Sequence, residues 1–68
     1  MNKFKERLKE LRQSKELEQK DLSAILHISK STVSGWETGR NQPNYDMLIT
    51  LARFFDVSVD FIIGNTEI

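Results

Sequence analysis

The chain has 68 residues, no cysteine, one histidine and charges that cancel, with 38% apolar and 29% charged residues. That length predicts one domain over residues 1–68 with little core to spare. The composition excludes a disulfide framework and a zinc site of the usual ligand count. The lack of a signal pattern or of an apolar run near the roughly 18 residues that span a bilayer predicts a soluble cytoplasmic protein without a membrane partner.

A net charge of zero argues against a polyanionic partner, but the distribution does not. Residues 1–45 carry nine of the ten bases and six of the ten acids, whereas residues 46–68 carry Arg53 and four acids. A basic front and an acidic tail suit a polyanion-facing side; scattered surface charge explains the same numbers as well.

In chain order, Phe4, Leu8 and Leu11 recur at helical spacing and predict an amphipathic helix over 2–14. Leu17, Leu22, Ile25 and Leu26 mark a second, short helix, and Ile28, Val33 and Trp36 a third. The cluster "GRNQPN" is the clearest loop. Leu48, Leu51, Ala52 and Phe55 give a fourth helix, and "VSVDFIIG" reads as a short capped fifth. Four apolar–cap–apolar sets have the spacing of a hydrophobic staple: Leu17–Glu18–Leu22, Ile28–Ser29–Val33, Pro43–Asn44–Leu48 and Val57–Ser58–Ile62. Ser29, Asn44 and Ser58 are good N-caps and Glu18 a weak one. Short helices with tight corners make a compact all-α bundle.

On a wheel of about 100° per residue, Thr32, Val33 and Trp36 of the third helix share one side. Ser31, Ser34, Gly35 and Thr38 share the other, with Lys30 at its edge. One side is an apolar anchor; the other is short, polar and nearly flat. It reads equally as a solvated face or as a surface that slides into the DNA major groove, which accepts one helix.

The stretch "QKDLSAILHISKSTVSGWETGRNQP", residues 19–43, resembles the helix-turn-helix of the XRE and lambdoid-phage Cro/repressor family. "FKERLKELRQSKEL" and "LARFFDVSVDFIIG" are similar to its first and last helices, so the resemblance covers about residues 3–64. It implies a five-helix, lambda-repressor-like DNA-binding domain, with the helix-turn-helix proper at about 19–38 and the third helix in the major groove. By position, it implies that Lys30, Ser31, Ser34 and Gly35 face bases. It gives Gln19 to backbone phosphate, and Thr38, Arg40, Asn41 and Gln42 to a phosphate-contacting loop. It pairs Arg12 with Glu37 as an ion pair between the first and third helices. Lys20, with Lys15, adds charge on the same side.

Three positions depart from the family pattern. Ser23 replaces a small alanine, with a hydroxyl that can bond back to its own helix. His27 replaces a turn glycine and must take a left-handed conformation that histidine tolerates better than most residues. Gly35 has no side chain to read a base.

Few cations face the groove, so tight binding needs a two-fold homodimer on a palindromic site. Phe61, Ile62, Ile63 and Ile68 are the candidate seam, with closure of the monomer core as the alternative for Phe61 and Ile62. The expected function is a sequence-specific, double-stranded DNA-binding transcriptional regulator, a repressor. The alternatives are a protein-interaction module on the same fold and the antitoxin of a toxin–antitoxin pair. No enzyme constellation is visible, and no cofactor, metal or small-molecule ligand is expected.

Overall fold

Phe4 and Leu8 return to one face of the chain at successive turns and disappear completely into the interior, carried on helix α1, Phe4–Ser14. In the computed structural model, which describes residues 3–67, α1 is followed by α2 (Gln19–Leu26), α3 (Lys30–Thr38), α4 (Tyr45–Phe54) and α5 (Val59–Ile62). There is no strand among the described residues. The fold is the expected all-α five-helix bundle, and α2, its corner and α3 occupy residues 19–38.

The N-caps act where the staples place them. The Ser29, Asn44 and Ser58 side chains accept from the backbone N–H of Thr32 (3.1 Å), Met47 (2.8 Å) and Phe61 (3.0 Å). Each satisfies a donor that the first helical turn leaves open. Glu18 is helped by Asp21, whose carboxylate accepts from the Glu18 N–H at 2.8 Å.

All five helices end in the same way. Glu16, His27, Gly39, Asp56 and Gly64 have φ of 57°, 59°, 81°, 56° and 83°. At each, the left-handed residue donates to the carbonyl three back and the next residue to the carbonyl five back. At the second corner these bonds are His27 N–H to Ala24 (3.3 Å) and Ile28 N–H to Ser23 (3.0 Å). This is the Schellman arrangement. At three corners the residue after the left-handed one is apolar: Leu17, Ile28 and Val57. Each is also the outer member of the next staple. One side chain therefore closes one helix and opens the next, and Ile28 and Val57 pack on the core.

The core joins Phe4, Leu8, Leu22, Val33, Trp36, Leu51, Phe55 and Ile62. Trp36 meets Phe4 edge to face, with centroids 6.4 Å apart. α3 packs on α1 and α2, while α5 packs on α1 and α4. The buried Ser23 hydroxyl donates to the Lys20 carbonyl (2.9 Å), so the departure from alanine is satisfied within α2. The chain ends are tied together. Lys3 N–H donates to the Ile63 carbonyl (2.9 Å), and the nearly buried Arg7 guanidinium donates to the Phe61 carbonyl (2.9 Å) and stacks 4.1 Å from the Phe61 ring.

Candidate nucleic-acid interface

Val33 and Trp36 sink α3 into the core, which turns Lys30 and Ser31 fully outward and leaves Ser34 half-exposed. The Ser31 hydroxyl lies 3.0 Å from that of Ser29, and the Ser29 hydroxyl lies 2.8 Å from that of Thr32. The start of α3 is thus a ridge of short hydroxyls with Lys30 beside it.

Behind this ridge sits one enclosed charge pair. Arg12 donates to Glu37 through Nε (2.6 Å to Oε2) and Nη2 (3.0 Å to Oε1), and its Nη1 donates to the Leu17 carbonyl at 2.7 Å. The two side chains are only 10% and 3% exposed. This forked geometry is the strong form of the pair. The hydrogen bond to Glu37 raises the Arg12 pKa, burial opposes the rise, and the charges of Glu37 and Glu18 add to it. Because the shift is upward, the Arg12 contribution is the same across neutrality and is lost only as the pH rises into the arginine range.

The Gln19 amide donates to Glu37 Oε1 at 3.1 Å, so one of its two N–H donors serves the charge pair. A half-buried amide beside a carboxylate satisfies the oxygen that Arg12 leaves with spare capacity. Lys20, one residue on, is exposed, whereas the Lys15 ammonium lies 5.7 Å from the Phe54 ring centre, over α4.

Gly35, the position expected to face bases, is buried. Its carbonyl accepts from the N–H of Arg40 (2.9 Å) and Asn41 (3.3 Å) and from the Thr38 hydroxyl (3.2 Å). A methyl group at Gly35 would fall 1.8 Å from Asn41 Oδ1 and 3.2 Å from Arg40 Nη2. The loop after α3 therefore lies back over the helix. Arg40 Nη2 reaches the Ser31 carbonyl at 3.4 Å, which places the guanidinium on α3 itself instead of at the rim of the loop. Thr38, Asn41 and Gln42 are exposed around it.

The candidate seam divides. Ile62 has no exposed surface and closes the core, the alternative given for it above. Phe61 is half-buried under Arg7. Ile63 borders an apolar groove with Phe4, Pro43, Tyr45 and Leu48. Ile68 lies outside the described residues. Among the described residues, the exposed large apolar side chains are Ile25, Tyr45 and Ile49, at 45%, 85% and 42%. Reading the sequence missed Tyr45 and Ile49, which stand one turn apart on α4. It also missed Lys5, whose Cδ lies 3.2 Å from where a Gly39 side chain would begin, adding a cation at the far end of α3. The i, i+4 spacing of Tyr45 and Ile49 was visible; the reach of Lys5 from α1 was not.

The model of the helix-turn-helix family matches residues 8–62. The transcriptional activator BcrR of Enterococcus faecalis is 35% identical over 65 residues, covering 96% of this chain and 32% of BcrR. The uncharacterized transcriptional regulator YobD of Bacillus subtilis is 40% identical over 62 residues, 91% of this chain and 55% of YobD. The crystal structure of a transcriptional regulator from Listeria innocua superposes with a TM-score of 0.87 at 27% identity, over 93% of this chain and 59% of that one. The chain thus spans between a third and three-fifths of the length of these relatives.

Proposed function

The chain belongs to the XRE-type helix-turn-helix family of DNA-binding transcriptional regulators, and we propose that it forms a single operator-binding domain that inserts α3 into the major groove of a palindromic site as a two-fold dimer. The observation that carries this reading is the division of α3. Val33 and Trp36 are fully committed to the core, while Lys30, Ser31 and Ser34 form a low polar ridge that a groove can accept. The enclosed Arg12–Glu37 pair supports it, because the one acid on α3 is neutralised before DNA arrives. Lys20 and Lys30, with Lys5 at the far end, are the phosphate partners, and Thr38, Asn41 and Gln42 supply neutral donors around them.

Repression by occupancy of the operator is the proposed output, since it needs no chemistry beyond binding. One relative is named an activator, so a promoter–reporter measurement fixes the sign for this chain. The dimer seam of this reading is the surface around Ile63, Tyr45 and Ile49, with Phe61 at its edge.

Selection from random duplexes at low salt, followed by affinity measurement across a salt series, tests the reading. The expected result is an enriched inverted repeat whose log affinity falls with log salt by about 0.9 for each phosphate neutralised. Two to three phosphates per protomer is the range that these cations allow. Absence of any enriched sequence would overturn it.

A further inference from the structure

We infer that Arg40 is a base-reading residue, aimed at guanine, and that Gly35 is glycine because Arg40 and Asn41 need the space above it. The inference rests on the operator-binding reading and names a specificity determinant within it.

Glycine in a helix interior is unfavourable and needs a reason. Backbone conformation is not the reason at Gly35, since the glycines with positive φ are Gly39 and Gly64. Space is. The deepest part of the gap holds Asn41 Oδ1, 1.8 Å from where a Cβ would stand, and Arg40 Nη2 lies 3.2 Å from the same point.

The route of the chain explains how Arg40 gets there. At three other corners the residue after the left-handed position is apolar: Leu17, Ile28 and Val57. After α3 that residue is Arg40. Its N–H is fixed to the Gly35 carbonyl (2.9 Å), and its guanidinium reaches the Ser31 carbonyl (3.4 Å). Ser31 and Gly35 are one turn apart, so the guanidinium lies along the face that also presents Lys30 and Ser34. A guanidinium has five N–H donors in a fixed fork, and one weak bond to Ser31 leaves a pair free to meet O6 and N7 of guanine. Of the α3 residues on that face, Ser31 and Ser34 are too short to do this and the Lys30 ammonium has no fork. The loop supplies the forked arm that the helix lacks.

The test compares Arg40→Ala, Arg40→Lys and Gly35→Ala with the unaltered chain, each first shown by melting temperature to be folded. Base preference is read position by position from random-duplex selection, and phosphate contacts from the salt slope. The unaltered chain should prefer guanine about fivefold or more at one position in each half-site. Arg40→Ala should abolish that preference and leave the other positions intact. Arg40→Lys should keep the salt slope yet lose most of the preference, because an ammonium lacks the fork. Gly35→Ala should weaken the preference at the same position, since its methyl displaces Asn41 and crowds Arg40. Equal weakening of all sequences by Arg40→Ala, with a slope reduced by about 0.9 per protomer, would make Arg40 a phosphate contact and overturn the inference. So would an unchanged preference in Gly35→Ala. Failure of the unaltered chain to enrich any sequence would instead sink the operator-binding reading itself.

Discussion

Glu37 is an acid on the helix proposed to face DNA, and its side chain is 3% exposed. Such a group is tolerable only because Arg12 and Gln19 donate to it three times in all. Removing one partner of an enclosed pair strands the other, at a cost of about 3–5 kcal/mol. At about 0.05–0.15 kcal/mol per residue the total stability of a 68-residue domain is about 3–10 kcal/mol, so that loss is a third of it or more. Arg12→Ala should therefore unfold at a much lower midpoint in a denaturant titration at 25 °C. The double change Arg12→Met with Glu37→Leu should recover most of the loss, because it leaves no stranded charge. Equal losses in the single and double variants would show that packing, not charge, is what Arg12 provides. At this scale the sequence was legible wherever spacing alone decides burial. Val33 and Trp36 follow from a 3.6-residue period, and both lie in the core. Gly35, Gln19 and Arg7 were not legible. Their partners are Asn41, Glu37 and Phe61, and which of a polar residue's possible partners it meets is set only once the corners have turned.

The elements are short, and α5 has a single turn. Helices of this length are marginal alone, so their ends matter as much as their faces. The caps were readable because capping is local: Ser29, Asn44 and Ser58 each accept from a residue three positions on. The left-handed closures at Glu16 and Asp56 were not readable, since neither residue is the glycine that usually marks that conformation. Two substitutions separate these effects in thermal or urea unfolding. Ser58→Ala loses its cap and should cost about 1 kcal/mol. Glu16→Gly relieves a left-handed penalty of roughly 1–2 kcal/mol while adding roughly 0.5–1 kcal/mol of chain entropy to the unfolded state, so a net gain of about 0.5–1 kcal/mol is expected. A destabilised Glu16→Gly would mean that the Glu16 side chain makes a contribution larger than the strain.

Across the whole molecule, charge and apolar surface are separated by the order of the helices. α3, within the basic front half, packs on α1 and α2, while α4 and α5 pack on each other and carry Asp46 and Asp60, with Asp56 at the corner between them. Tyr45 and Ile49 stand exposed on that second side. The proposed assembly follows from this polarity, with DNA on the α3 side and a second copy on the α4–α5 side. The polarity was partly legible as a charge imbalance between residues 1–45 and 46–68. The covering of Ile62 was legible only as one of two alternatives, because it depends on α5 folding under α1 and α4. The central claim is that α3 and the loop behind it form the surface that meets DNA. The most direct measurement is a backbone-amide NMR titration of the chain with its selected duplex. The account predicts the largest shifts at Lys30, Ser31, Ser34, Gly35, Arg40 and Asn41. Shifts concentrated at Tyr45, Ile49 and Phe61, with α3 unmoved, would contradict it.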